Sequence, residues 1–193
     1  MKRLLLILIV IFVSCNNSNK TVVKKEKEKV VDDFHEVEWI ERKEFKPFFT
    51  SDKIDHYYLN ISDDNVLKIL GGDTIVNNRK RLSMILANYY PDSISQPHFE
   101  DDLIKYNFVK TELSQRKKKE VEGIFTQKDS IQMVFSGCIP MYRDIFIFKR
   151  NDSITGIAKI CFGCGMAHFY GTKVDTEGFG TRFELKKLEK IIR

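Results

Sequence analysis

Ile145-Phe146-Ile147-Phe148 is apolar at every position, and this run constrains the fold more than any other stretch of the chain. Alternate residues of a strand point to opposite faces, so a run without a polar side suits a central strand covered above and below better than an edge strand. The run lies in a strand expected over Asp144 to Lys149, with further strands over Ile131 to Ser136 and Ile154 to Phe162. Arg150-Asn151-Asp152-Ser153 has the residues of a tight turn, which makes the last two strands an antiparallel hairpin.

Upstream, Phe34 to Arg42 places Val37 and Trp39 on one face and Glu36 and Glu38 on the other, the period of a half-buried strand. Ile54 to Ile61 is a second strand candidate and contains His56; Leu103 to Lys110, with alternating apolar residues, is a third. Asp92 to Asp102, with His98 inside it, reads as a loop.

Helix signals fall between these segments. Ser62-Asp63-Asp64 is an N-cap with an acidic first turn, and Gly71-Gly72 is the matching stop. Leu82, Ile85, Leu86 and Tyr89 share one face of a helix from Asn77 to Tyr89, which Pro91 ends. Ser114 caps a helix over Gln115 to Phe125 with Val121, Ile124 and Phe125 inward and Arg116 to Lys119 outward. Thr181 and Glu184 match a capping box before a terminal helix that turns Leu185, Leu188, Ile191 and Ile192 inward. Strands and helices do not alternate as βαβ units require, so the expected fold is α+β. Its sheet is mainly antiparallel, with a C-terminal three-strand core and about four short helices.

The amino terminus has a different character. Met1-Lys2-Arg3 precedes an unbroken apolar run from Leu4 to Val13, shorter than the roughly 20 residues that cross a bilayer, as in an export signal. The run ends in Phe12-Val13-Ser14-Cys15, which resembles the lipobox of bacterial lipoproteins. That resemblance implies removal of residues 1–14 as a signal peptide and acylation of Cys15, which becomes the first residue of the mature chain. It further implies a lipid anchor at the cell membrane or outer membrane, outside the cytoplasm, with Asn16 favouring the outer one. Buried acyl chains contribute about 0.8 kcal/mol per CH₂, so the membrane is a partner reached through the anchor. Residues 15–33 form the lipidated cysteine and a polar tether centred on Lys24-Lys25-Glu26-Lys27-Glu28-Lys29, and residues 34–193 a single domain.

Hydrophobic residues make up 42% of the chain, enough for one globular core. The net charge of +5 drops to +3 once Lys2 and Arg3 leave, too mild for a nucleic-acid partner. Motifs for phosphate-cradling glycines, paired metal-binding histidines and Ser-centred hydrolases are absent, and no catalytic residue is assigned.

Cys138, Cys161 and Cys164 remain beside Cys15, and three is an odd number for an exported protein. The simplest arithmetic is one disulfide and one thiol. In a flat meander Cys138 and Cys161 lie two strands apart, about 9 to 10 Å, beyond disulfide reach, which favours Cys138 with Cys164. A strand order that sets the first and third strands side by side allows Cys138 with Cys161 instead.

Cys161-x-x-Cys164-Gly165 also resembles the metal-binding knuckle of zinc ribbons and rubredoxins, which implies a zinc site of Cys138, Cys161, Cys164 and His168. Read as a redox pair, Cys161 and Cys164 resemble the thioredoxin-like motif but lack its βαβ setting. A cysteine nucleophile with His168 as base has nothing to orient the histidine. Cys138-Ile139-Pro140 through Ile160-Cys161-Phe162-Gly163-Cys164 resembles small envelope proteins of unassigned function and brings no activity with it. The expectation is thus a membrane-anchored lipoprotein with a non-enzymatic structural or binding domain. The competing class is a thiol-dependent metal-binding or redox protein.

Overall fold

The computed structural model describes residues 31–32, 35–36, 46–71, 77–128 and 137–193. The expected signal segment, Cys15, most of the expected tether and the strand expected over Ile131–Ser136 lie outside them; of the strand expected over Phe34 to Arg42, only His35–Glu36 is described.

In chain order the elements are β1 (Val31–Asp32), β2 (His35–Glu36), β3 (Lys53–Tyr58), α1 (Asp63–Leu70), α2 (Asn77–Leu86) and α3 (Phe99–Lys105). They continue with β4 (Val109–Glu112), α4 (Gln115–Ile124), β5 (Asp144–Arg150), β6 (Ser153–Cys161), β7 (Met166–Tyr170) and α5 (Arg182–Ile192). β1 and β2 form a small antiparallel pair. The main sheet runs β4-β3-β5-β6-β7 with every neighbouring pair antiparallel, so the fold is α+β and β5 is its middle strand.

Both faces of β5 are covered. Phe146 and Phe148 join Val121, Ile124 and Phe125 of the α4 region and Leu185 and Leu188 of α5 in one core. Ile145 and Ile147 join Val66, Ile85, Leu86, Phe99 and Leu103 from α1, α2 and α3 in the other. All four residues of the run are 0% exposed, and each such burial contributes about 1.5–3 kcal/mol. Phe125 anchors the first core, its ring centroid 5.1 Å from Phe179, 5.2 Å from Phe148 and 5.5 Å from Phe146.

Local chemistry explains the element ends. Ser62 accepts from the Asn65 N–H at 3.4 Å, Ser114 from Lys117 at 3.4 Å and Thr181 from Glu184 at 3.3 Å. The Glu184 carboxylate accepts from the Thr181 hydroxyl at 3.2 Å and pairs with Lys128. Asn151 and Asp152 take positive φ of 49° and 59° inside the Arg150–Ser153 pair, as a two-residue hairpin turn between right-twisted strands requires.

The expectations need several corrections. Leu103 to Lys110 is not a strand: Phe99 and Leu103, at i and i+4, are the buried side of α3, and β4 starts only at Val109. Asn107, at φ 64°, makes the break between them. Helix α2 stops at Leu86, because left-handed Asn88 reverses the chain; Tyr89 is consequently 71% exposed and Tyr90 buried in its place. Lys118, expected outward, is buried with its ammonium 2.7 Å from Glu122. Among the described residues the strand that follows β6 is Met166–Tyr170, a segment that was not expected to be extended.

Gly156 faces this aromatic core, and a Cβ at that position would overlap the Phe49 ring, which lies directly over the backbone. Gly156→Ala is therefore expected to destabilise the protein by about 1–3 kcal/mol through overpacking, read as a lower denaturant midpoint at unchanged slope.

Candidate functional site

The β6–β7 turn is Phe162-Gly163-Cys164-Gly165, closed by the Cys161–Met166 pair. Gly165 and Gly180 both have positive φ, 67° and 97°, and a Cβ on Gly180 would stand 3.2 Å from the Gly165 carbonyl oxygen. The turn thus rests directly on the entry to α5, with glycine at the two positions whose left-handed backbone disfavours any side chain.

A disulfide ties Cys138 to Cys164, with Cα atoms 6.1 Å apart. It staples the exposed strap Gly137-Cys138-Ile139 to the turn. Cys161 is a free, buried thiol whose Sγ accepts from the Met141 N–H at 3.3 Å. Tyr142, Cys161 and Cys164 form a small core of their own with Met141 and Met166 against it. Burial raises the Tyr142 phenol to about 12, with the nearby Cys161 and Tyr170 adding to the rise.

Between this turn and α5 lies a two-lobed groove, the lobes sharing Phe162, Gly163 and Glu189. The larger, about 410 Å³, also reaches Cys164, Arg182 and Lys186; the smaller, about 290 Å³, reaches Arg143, Asp144 and Arg193. Its inner end is built from paired charge. Buried Asp144 Oδ1 lies 2.9 Å from His56 Nε2, and its Oδ2 lies 3.3 Å from an Arg193 nitrogen. The Arg193 guanidinium also stacks on Tyr58 at 4.2 Å, and Arg143 pairs with Asp63 at 2.8 Å.

The structure does not gather His168 with the three cysteines. His168 stands opposite Lys159 in the β6–β7 register, with its ring 4.7 Å from that of Tyr170. Burial, and then the Lys159 charge, hold its imidazole below the ordinary value. Among the described residues no group of three or more His, Cys, Asp or Glu side chains is placed to hold a metal ion, and in this form two of the sulfurs are bonded to each other.

Two polar groups escaped the sequence reading. Lys159 is 0% exposed, and its ammonium donates to the carbonyl of Ile85 and, at 3.0 Å, to that of Tyr90, closing the end of α2. Its Nζ also lies 5.0 Å from the Tyr142 ring. Toward the other edge, Asp55 is wholly buried, with Lys110 and Lys149 each 3.0 Å from Oδ2, held as ion pairs rather than by well-directed hydrogen bonds. Glu100 of α3 accepts from Lys149 at 2.7 Å and from the Tyr57 hydroxyl at 2.5 Å. Burial opposes ionisation of both carboxyls, but the lysines outweigh it and hold them below their ordinary values. Two carboxylates and two ammoniums balance, which suits a clamp between α3 and the sheet better than a catalytic centre. Only the spacing of Asp55 and Lys149 on opposite-facing strands could have hinted at it, and strand pairing is not visible in sequence.

What the site can do chemically follows from its parts: a groove of mixed apolar and charged lining to receive a ligand, and sulfur chemistry at its rim. Comparison with protein-family models, characterised proteins and solved structures finds nothing that matches this chain.

Burial pulls the Lys159 ammonium down to about 7. Between that value and about 10.4, the ordinary lysine value, the folded chain binds fewer protons than the unfolded one, so stability from this group rises with pH. The stability difference between wild type and Lys159→Met is expected to grow in favour of wild type from about pH 7 to about pH 9. The limiting slope is about 1.4 kcal/mol per pH unit, measured by urea unfolding; a flat difference would rule out a depressed lysine.

Proposed function

We propose that the protein is an exported, lipid-anchored envelope protein whose single folded domain is a non-enzymatic binding or structural module, with the groove beside α5 as its binding surface. The observation that carries this reading is the Cys138–Cys164 bridge. Disulfides persist in oxidising compartments and are rare in the cytosol. An exported destination is also what the resemblance of Phe12-Val13-Ser14-Cys15 to a lipobox implies, and the two observations concern parts of the chain far apart in sequence. Cys15 supplies the acyl anchor, the lysine- and glutamate-rich tether holds the domain off the membrane, and the staple ties the strap to the turn that lines the groove. The competing thiol-dependent metal or redox reading draws on the unbonded Cys161 beside the bridge.

Two measurements test this on protein produced with its own export signal. The mature chain is expected to start at Cys15 with the mass of a diacylated or triacylated cysteine and to partition with membranes; Cys15→Ala abolishes both. An unchanged mass and membrane fraction in that variant would defeat the lipid anchor. Thiol titration is expected to give one free thiol before reduction and three after it, without bound metal. Stoichiometric zinc with three protected thiols would instead establish the metal-binding alternative.

A further inference from the structure

Cys164 packs among two other cysteines. One is Cys138, to which it is bonded. The other is Cys161, which packs with it against Tyr142 and closes the same tight turn from three residues away. Residues three apart across a tight turn bring their Cα atoms within about 7 Å, which overlaps the range of about 4.4–6.8 Å that a disulfide spans. Both sulfurs also lie along one short strap: Cys161 Sγ is 3.3 Å from the Met141 nitrogen and Cys164 Sγ 3.4 Å from the Ile139 carbonyl oxygen.

We propose that this cluster is an internal thiol–disulfide exchange site, in which Cys161 displaces Cys138 from Cys164. Cys161 gives its proton to solvent, and the thiolate attacks Cys164 Sγ. The Cys161–Cys164 bond forms as the Cys138–Cys164 bond breaks, and the electron pair leaves on Cys138, which takes up a proton. One disulfide and one thiol exist before and after, so the step needs no oxidant or reductant.

The two states differ in what they expose. Cys161 is a buried thiol, 3% exposed, shielded from solvent reagents. Cys138 is exposed on a strap whose Ile139 is 61% exposed, so exchange converts an inert thiol into a surface thiol at the rim of the groove. It also removes the covalent tie between the strap and the turn. The bridges differ in the opposite sense in chain entropy: Cys138–Cys164 closes a sequence separation of 26, Cys161–Cys164 one of three, and the shorter loop is the less demanding to close. The folded chain nonetheless holds the longer bridge, and anything that draws the strap away from the turn favours exchange. A partner bearing a disulfide or another thiol-reactive group is the chemical class that the released Cys138 would capture.

The inference shares the stapled turn with the proposed function but not its lipid anchor. The test uses the mature, oxidised full chain and iodoacetamide under native, non-reducing conditions at about pH 6 and about pH 8.5, where thiolate fractions differ. Peptide mapping then locates the label and the remaining bridge. The expected result is a label that accumulates on Cys138 with a Cys161–Cys164 bridge, several-fold faster at the higher pH. Cys161→Ser is expected to remove that labelling and keep Cys138–Cys164. Cys138→Ser, which has no competitor for Cys164, is expected to oxidise to Cys161–Cys164 with no free thiol. A label confined to Cys161, an unlabelled protein with Cys138–Cys164 fixed at both pH values, or two free thiols in oxidised Cys138→Ser would each overturn the exchange and leave the envelope reading standing. Three unbridged thiols in wild type would overturn both.

Discussion

The requirement to cover β5 on both faces organises the molecule. Four consecutive large apolar side chains cannot share one surface, because the strand sends Ile145 and Ile147 one way and Phe146 and Phe148 the other. Helices must therefore flank the sheet on two sides. The chain meets this demand with insertions: α1, α2 and α3 all lie between β3 and its neighbour β4, while α4 and α5 come from the segments on either side of the β5–β6–β7 meander. An antiparallel sheet usually turns one face to solvent. Here the aromatic core under α4 and α5 and the branched aliphatic core under α1 to α3 make it an internal layer.

An internal sheet layer restricts what polar residues on its strands can do. Asp55, His56, Asp144, Lys149 and Lys159 all sit on β3, β5 or β6 and are all buried, and each is met by a partner from a neighbouring strand, a helix or a chain terminus. Such pairs add little net stability against well-packed apolar residues. Their effect is on register. A one-residue slip between β3 and β5 would send Asp55 to the opposite face and strand Lys149 and Glu100 without it. Leaving a buried charge unpaired costs about 3–5 kcal/mol, enough to separate the observed register from its neighbours when the apolar pattern alone, continuous on β5, does not.

That continuity also marks the limit of what could be read from the sequence. The central strand, its hairpin turn, the caps at Ser62, Ser114 and Thr181 and the inward faces of α4 and α5 were legible, because each depends on residues within a few positions of one another. Helix α3 was not, since Ile104, Tyr106 and Phe108 happen to alternate with polar residues; the acidic Glu100-Asp101-Asp102 first turn with Phe99 and Leu103 four apart was the signal that outweighs them. β7 was missed because Met166-Ala167-His168-Phe169-Tyr170 has no clean alternation, being half-buried throughout. At the site, the three cysteines could be singled out by type. The placement of His168 opposite Lys159, and of His56 against Asp144 across 88 positions, depends on strand order and register, which only tertiary packing determines.

The staple has a different role from that of the core. In the chain-entropy picture, a bridge across a separation of 26 restricts the unfolded chain by about 3.5 kcal/mol, a large fraction of the 5–15 kcal/mol that holds typical domains together. Its position matters as much. The segment that follows the strap is held without it: the Tyr142 N–H donates to the Leu86 carbonyl at 3.0 Å, and Tyr142 is buried. Residues 137 to 139, by contrast, are exposed. Opening the bridge would thus remove the covalent tie between Cys138 and the turn while β5, entering the sheet two residues beyond Tyr142, keeps both of its covered faces. The bridge and the integrity of the sheet are separable, and the sulfur cluster sits at the boundary between the exposed strap and the covered strands.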